Sequence, residues 1–251
     1  MDDGLHLSAE GYALWDSVLR PAVDAVLEPL APVDEPPEGS PPTGARVLID
    51  VGPNNPGDGE VTPSPDYLGQ HWNNWHDLDG GGQVLPGEHL DALRTTDGTP
   101  TPIGLVVTGG FEANGWANGG LRWPDQTLLG DLAVGSATGD FWYASGADQP
   151  GGWMFQGLDP GRRYTLRLFA SRDDAELRIT RFTAVGAGQP QSAVVQTSGV
   201  GAGQMDATTA NNDDVAVLEA LQADRWGHLF VDVEVVQGRY AYTSLIELHV
   251  Q

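Results

Sequence analysis

Four tryptophans in this sequence are surrounded by residues that favour loops over a core. Trp72 and Trp75 enclose Asn73 and Asn74, while Trp116 and Trp123 lie near Asn114, Asn118 and Arg122, in stretches rich in Gly, Pro and Asn. An indole offers a flat apolar face, and amides and a guanidinium offer directed hydrogen bonds. Together they suit a pyranose ring, with its apolar C–H face and its hydroxyls. The candidate ligand contacts are therefore Trp72, Asn73, Asn74, Trp75, Asn114, Trp116, Arg122 and Trp123. Each has a plainer use as well: a loop Trp plugs the gap beneath a long loop, and Asn forms turns. Trp142 and Trp153 fall in alternating runs and are expected in the core.

Other chemistry finds less support. Asp206, Asn211, Asn212, Asp213 and Asp214 make an oxygen-rich stretch in which a structural calcium is one reading and a solvated acidic turn another. Its spacing is not that of an EF-hand loop. The six histidines form no HExxH-type pair, and His71 and His76, which flank the first Trp pair, read as hydrogen-bonded loop residues. No Gly-rich loop leads from a strand into a helix, so nucleotide binding has no support. The absence of cysteine removes disulfides, thiolate catalysis and Cys-bound zinc. No cofactor beyond that possible calcium is expected.

At the start of the chain, Asp3-Gly4-Leu5-His6-Leu7-Ser8 is followed by Gly11-Tyr12 and by apolar residues at helical spacing, Tyr12, Trp15, Val18 and Leu19, with Ser8 as N-cap. This block resembles the last conserved block of the SGNH (GDSL-type) hydrolases. The resemblance implies that Asp3 orients His6 and that His6 acts as general base for a serine. It covers only about the first tenth of the chain, and the family's nucleophile and oxyanion-hole blocks belong upstream of it. No Gly-Asp-Ser follows a buried strand later on, so this chain is expected to be non-catalytic, the remnant of a larger carbohydrate esterase.

The formal net charge is −23, from 35 acidic and 12 basic residues, every one of the latter Arg. A field of that sign argues against nucleic acid and anionic membranes as partners, and disfavours a polyanionic ligand. The Arg-only usage fits either a high-GC genome or a salt-rich habitat. No stretch reaches the ~18 consecutive apolar residues of a membrane span. Met1-Asp2-Asp3 lacks the basic and apolar regions of a signal peptide. The chain is thus expected to be a piece of a longer, secreted polypeptide.

The elements that must position these residues are strands. Asp159-Pro160-Gly161 makes a turn, after which Tyr164, Leu166, Leu168 and Ala170 alternate with Arg163, Thr165, Arg167 and Phe169. That alternation predicts a strand buried on one face. Further strands are expected at Val47–Val51, Ile103–Thr108, Asp140–Tyr143, Gly152–Phe155, Ala175–Ala184, Ser192–Thr197, Val215–Leu218, His228–Val236 and Ala241–Val250. The stretches from Gly52 to Gly82 and from Phe111 to Pro124 read as loops, and Gly130 to Ser136 as either helix or strand. Short strands divided by Gly, Pro and Asn turns predict an all-β sandwich, its first and last strands pairing to close the domain.

Three segments result: residues 1–29, the hydrolase-like remnant; residues 30–45, a Pro-rich linker; and residues 46–251, the sandwich. The sandwich resembles, in general layout, the jelly-roll, galactose-binding-like and malectin-like modules attached to bacterial carbohydrate-active esterases. The residues that carry this are the first strand before Gly52-Pro53-Asn54, the strand entered through Gly157-Leu158-Asp159-Pro160-Gly161, and the last strand with Ile246-Glu247-Leu248. The resemblance implies a non-catalytic module that binds a neutral polysaccharide beside its parent esterase domain. The alternative is an accessory domain that packs on the esterase and shapes its active site.

Overall fold

The alternation at Tyr164–Phe169 produces a strand, and so do most of the apolar runs. In chain order the strands are β1 (Arg46–Gly52), β2 (Trp72–His76), β3 (Gln83–Val84), β4 (His89–Leu90), β5 (Gly104–Gly109), β6 (Phe111–Asn114), β7 (Phe141–Ser145), β8 (Gly151–Gln156), β9 (Tyr164–Phe169), β10 (Arg178–Val185), β11 (Gln191–Ser198), β12 (Ala216–Leu221), β13 (Leu229–Gln237), β14 (Tyr240–Thr243) and β15 (Leu245–Val250). Two short helical turns, α1 (Gln126–Leu129) and α2 (Gly135–Thr138), interrupt them. The computed structural model describes residues 38–53, 57–76, 82–146, 150–203 and 209–251. The chain divides into two units, Met1–Glu35 and Pro36–Gln251. The first, with Asp3, His6 and the helix expected after them, lies outside the described residues.

The described part is an all-β sandwich. One sheet has the order β12-β9-β15-β1-β2, a second β11-β10-β13-β8-β5-β4 and a third β14-β7-β6-β3. The second and third follow one another, because β4, β5, β8 and β13 are joined in the chain to β3, β6, β7 and β14, in matching order across the two sheets. As expected, β1 and β15 pair antiparallel, with Val47 opposite Leu248 and Ile49 opposite Ile246. Just before β1, Gly44 N–H donates to the Val250 carbonyl at 2.8 Å, so the pairing starts ahead of the strand proper.

The main core is a continuous layer drawn from all three sheets, including Ile49, Trp75, Trp142, Trp153, Phe155, Leu166, Phe182, Val231 and Ile246. Burying each such side chain stabilises the fold by ~1.5–3 kcal/mol. The first sheet is covered on its other face too. There Leu48, Trp72, Phe169 and Leu245 pack against Leu129, Leu132, Val134 and Ala137 from the segment holding α1 and α2. β9 is therefore buried on both faces rather than one. Arg167, about a third exposed, is the exception, and its guanidinium donates at 2.7 Å to Glu247, which is 2 % exposed opposite it on β15 and also takes Arg46.

Candidate functional site

The first tryptophan pair is not in a loop. Trp72 to His76 form β2, which lies parallel to β1 with Trp72 opposite Leu48 and His76 opposite Gly52. Trp72 is 3 % and Trp75 2 % exposed, so neither can offer a face to a ligand. The reason is the period of a strand: Trp72, Asn74 and His76 point to one side and Asn73 and Trp75 to the other. Trp75 enters the main core, edge-on to Trp142 with ring centres 4.9 Å apart. Trp72 enters the smaller cluster, its Nε1–H donating to Asp66 Oδ2 at 2.8 Å.

Asn73 and Asn74 are likewise committed to the fold. The Asn73 amide donates to the carbonyls of Leu48 (2.9 Å) and Arg94 (2.8 Å), and its oxygen accepts the Arg94 N–H (2.7 Å). The Asn74 oxygen accepts the Thr62 N–H at 2.8 Å and its amide donates to the Thr62 carbonyl at 2.9 Å. β2 is the outermost strand of its sheet, and these two amides stand in for the strand that would otherwise pair with it. Both amides therefore hold the fold together at this edge.

The second tryptophan pair does reach solvent. Asn114 ends β6, Trp116 starts a helical turn, and the chain runs on through Arg122 and Trp123. Trp123 is 83 % exposed. Arg122 lies between the two rings, its guanidinium carbon 4.7 Å from the Trp116 centroid and 5.5 Å from that of Trp123. Stacking of this kind is attractive and holds both rings in one orientation. The loop beneath is held by Asp58, whose carboxylate accepts the N–H groups of Gly115 (3.2 Å) and Ala117 (2.9 Å) and the Asn118 amide (3.2 Å). Asn118 also donates to Asn114 Oδ1. A Cβ on Gly115 would lie 1.5 Å from the Asp58 carbonyl oxygen, so only glycine permits this approach.

A buried cluster went unseen in the sequence. Period two on β1 turns Asp50 away from the main core, onto the side where β2 places His76, and Asp140 arrives there directly after α2. One ligand-type atom from each of Asp50, His76 and Asp140 lies within 4.8 Å of the others, and all three residues are buried. His76 Nε2 is 3.3 Å from Asp50 Oδ2, and its Nδ1–H donates to the Pro53 carbonyl at 3.0 Å. Burial lowers the His76 pKa, but the hydrogen bond and charge of Asp50, with the Pro53 carbonyl, outweigh it and the net shift is upward. Burial first, then the Asp50 charge, raises Asp140 well above the usual carboxylate range.

The remaining candidates are settled by their contacts. Asn211 is fully buried; it donates to the carbonyls of Ala170 (3.0 Å) and Asp214 (2.7 Å) and accepts the Asp214 N–H (2.9 Å). Its amide ties the turn together, and Asn212 is buried as well, so this part of the acidic stretch is packed rather than solvated. Asp206 lies outside the described residues. The sequence reading also passed over Trp226, half exposed beneath the Arg225 guanidinium at 4.1 Å. The Asp224-x-x-Gly227 turn that presents it is the only local signal.

No family model and no curated protein matches this chain. Among solved structures, it is similar to TmCBM61, determined in complex with β-1,4-galactotriose, at 12% identity and a TM-score of 0.28, over 45% of this chain and 72% of that one. It is also similar to the enzymatically active domain of bacteriophage CBA120 tailspike protein 4, at 9% identity and a TM-score of 0.31. That match spans 68% of this chain and 20% of the tailspike chain. Likenesses this distant carry no argument about what the chain binds.

Proposed function

We propose that the sandwich is a non-catalytic module that binds a neutral polysaccharide on the face made by Trp116, Arg122 and Trp123. The observation that carries this reading is the exposed Trp123 ring, stacked through Arg122 on Trp116. A lone exposed apolar side chain needs no explanation. Three side chains in sequential contact are different when their loop is held by the Asp58 carboxylate and by backbone hydrogen bonds, Trp116 N–H to the Asp58 carbonyl at 2.9 Å among them, which narrows their conformations before any ligand arrives. The outer indole face suits the C–H side of a sugar ring, and Arg122, Asn114 and Asn118 supply polar groups at its edge. The net charge of −23 favours a neutral glycan over a polyanion.

Within the longer protein, the module tethers an SGNH-type esterase to its polymer outside the cell, raising the local substrate concentration. That part rests on the resemblance carried by Asp3 and His6. The test is affinity electrophoresis through gels containing neutral and acidic polysaccharides. Retardation by a neutral glycan, abolished in Trp123→Ala, is the expected result. Free migration through every gel would overturn it and favour the second reading, suggested by the same exposed indole, in which this face packs on the esterase domain.

A further inference from the structure

We infer that Asp50, His76 and Asp140 form a site for one divalent transition-metal ion of the zinc or manganese class. Asp50 and Asp140 are both fully buried, and the Oδ1 atom of each has no hydrogen-bond partner. An ionised oxygen left in that state is costly, so the pair calls for either a proton or a cation. The imidazole points the same way. A carbonyl can only accept, so the Pro53 contact fixes the proton of a neutral His76 on Nδ1 and leaves the Nε2 lone pair facing Asp50 Oδ2. A metal-bound histidine is held in the same manner, its far N–H on a backbone carbonyl.

The other carboxylate oxygens have supporting partners: Thr62 N–H donates to Asp50 Oδ2 at 3.1 Å and Glu60 N–H to Asp140 Oδ2 at 3.2 Å. Two carboxylates and a neutral imidazole carry a charge of −2, which one divalent cation cancels. The competing arrangement places protons on Asp140 and on His76 Nε2, both facing Asp50, and metal binding would release them. The imidazole nitrogen favours a metal such as zinc over calcium and magnesium, which prefer all-oxygen shells, while the two carboxylates also suit manganese. The space is defined by glycine: a Cβ on Gly52 would sit 2.3 Å from Asp140 Oδ2.

The site has a structural consequence. The run from Asp58 to Thr62 donates to both carboxylates through Glu60 and Thr62, and its Asp58 holds the Trp116 loop. An ion here fixes that run from below. The inference stands on the buried cluster and does not depend on the glycan reading.

The test uses the whole chain, stripped with a chelator and titrated with zinc, manganese and calcium chlorides by calorimetry and thermal unfolding. The expected result is one zinc or manganese ion per chain, a raised unfolding midpoint, and calcium binding weaker by about 100-fold or more. His76→Gln keeps the size of the side chain and should lose about 100-fold in zinc affinity. Cobalt(II) added to the unaltered chain should give the visible bands of a nitrogen- and oxygen-ligated site, a readout that needs no variant. Absence of stoichiometric binding by the folded chain would overturn the inference. So would equal zinc affinity in folded His76→Gln, or calcium binding as tightly as zinc.

Discussion

The guanidinium of Arg122 lies 4.7 Å from the centre of the Trp116 ring, and this contact joins two side chains into one continuous surface. Trp123 extends it into solvent. Removing the outermost ring should therefore cost binding and little else. Trp123→Ala is expected to weaken retardation by the bound glycan about tenfold or more, the size of an aromatic anchor. Arg122→Ala should lose less, since it disorders the rings without deleting one. Both variants should unfold within a degree or two of the parent, because neither side chain is buried. A large fall in the unfolding midpoint of Trp123→Ala would mean that the indole belongs to the core.

Trp75 predicts the reverse pattern. Its ring is 2 % exposed and edge-on to Trp142, which in turn lies against Phe111. Trp75→Ala opens a cavity in the middle of the aromatic layer and should destabilise the domain by roughly 3–5 kcal/mol. Measured below its lowered midpoint, the variant should retain full glycan affinity. Asn73→Ala removes three hydrogen bonds to Leu48 and Arg94 and should cost about 1–3 kcal/mol, again without effect on affinity. Denaturant unfolding beside gel retardation separates the two quantities.

The contrast between the two tryptophan pairs shows what the sequence could convey. β9, β13 and the pairing of β1 with β15 were readable because apolar residues recur there at period two or in short unbroken runs. Trp72-Asn73-Asn74-Trp75 has neither pattern. It belongs to a sheet covered on both faces, so its two indoles enter different clusters and its amides serve the sheet edge. The buried cluster was hidden for another reason. Asp50 and His76 are 26 residues apart and meet only through the parallel pairing of β1 with β2. Its one local trace is a charged residue, Asp50, inside the otherwise apolar run Val47–Val51. Trp116, Arg122 and Trp123 were legible as loop residues because Gly and Asn surround them, but the loop expected from Phe111 to Pro124 begins late, since Phe111–Asn114 pair as β6.

Two tyrosines make the fold sensitive to alkali, as does Tyr143, which burial and Glu112 raise further still. Burial raises Tyr164 and Tyr242 to about 12, against an ordinary value near 10. Below pH 10 both are neutral whether the chain is folded or not, and they add no pH dependence. Between pH 10 and 12 the unfolded chain loses these protons while the folded one keeps them, so stability falls as pH rises. Thermal midpoints should drop across that interval. The phenolate absorbance of these two residues should appear only together with unfolding. Their ionisation at pH 10 in a folded chain would show that the rings are accessible.

Asp58 should separate the shape of the binding face from the stability of the domain. Its carboxylate holds Gly115, Ala117 and Asn118, but it takes no part in the core, and the loop it fixes carries Trp116. With Asp58→Ala the three donors turn to water at small cost, since most of them lie near the surface. The Asp58 carbonyl still accepts the Trp116 N–H at 2.9 Å, but Ala117 and Asn118 lose their anchor and the turn after Trp116 loosens. Binding has to restore the order that the carboxylate supplied in advance, so affinity should fall by about three- to tenfold with the unfolding midpoint nearly unchanged. Asp58→Asn keeps an oxygen acceptor but not the charge, and should fall between the two. Gly115→Ala drives a methyl into the Asp58 carbonyl and should lower both affinity and midpoint. If Asp58→Ala bound glycan as tightly as the parent, the Trp116 loop would be ordered by other means, and the face would have to be built from Trp123 alone.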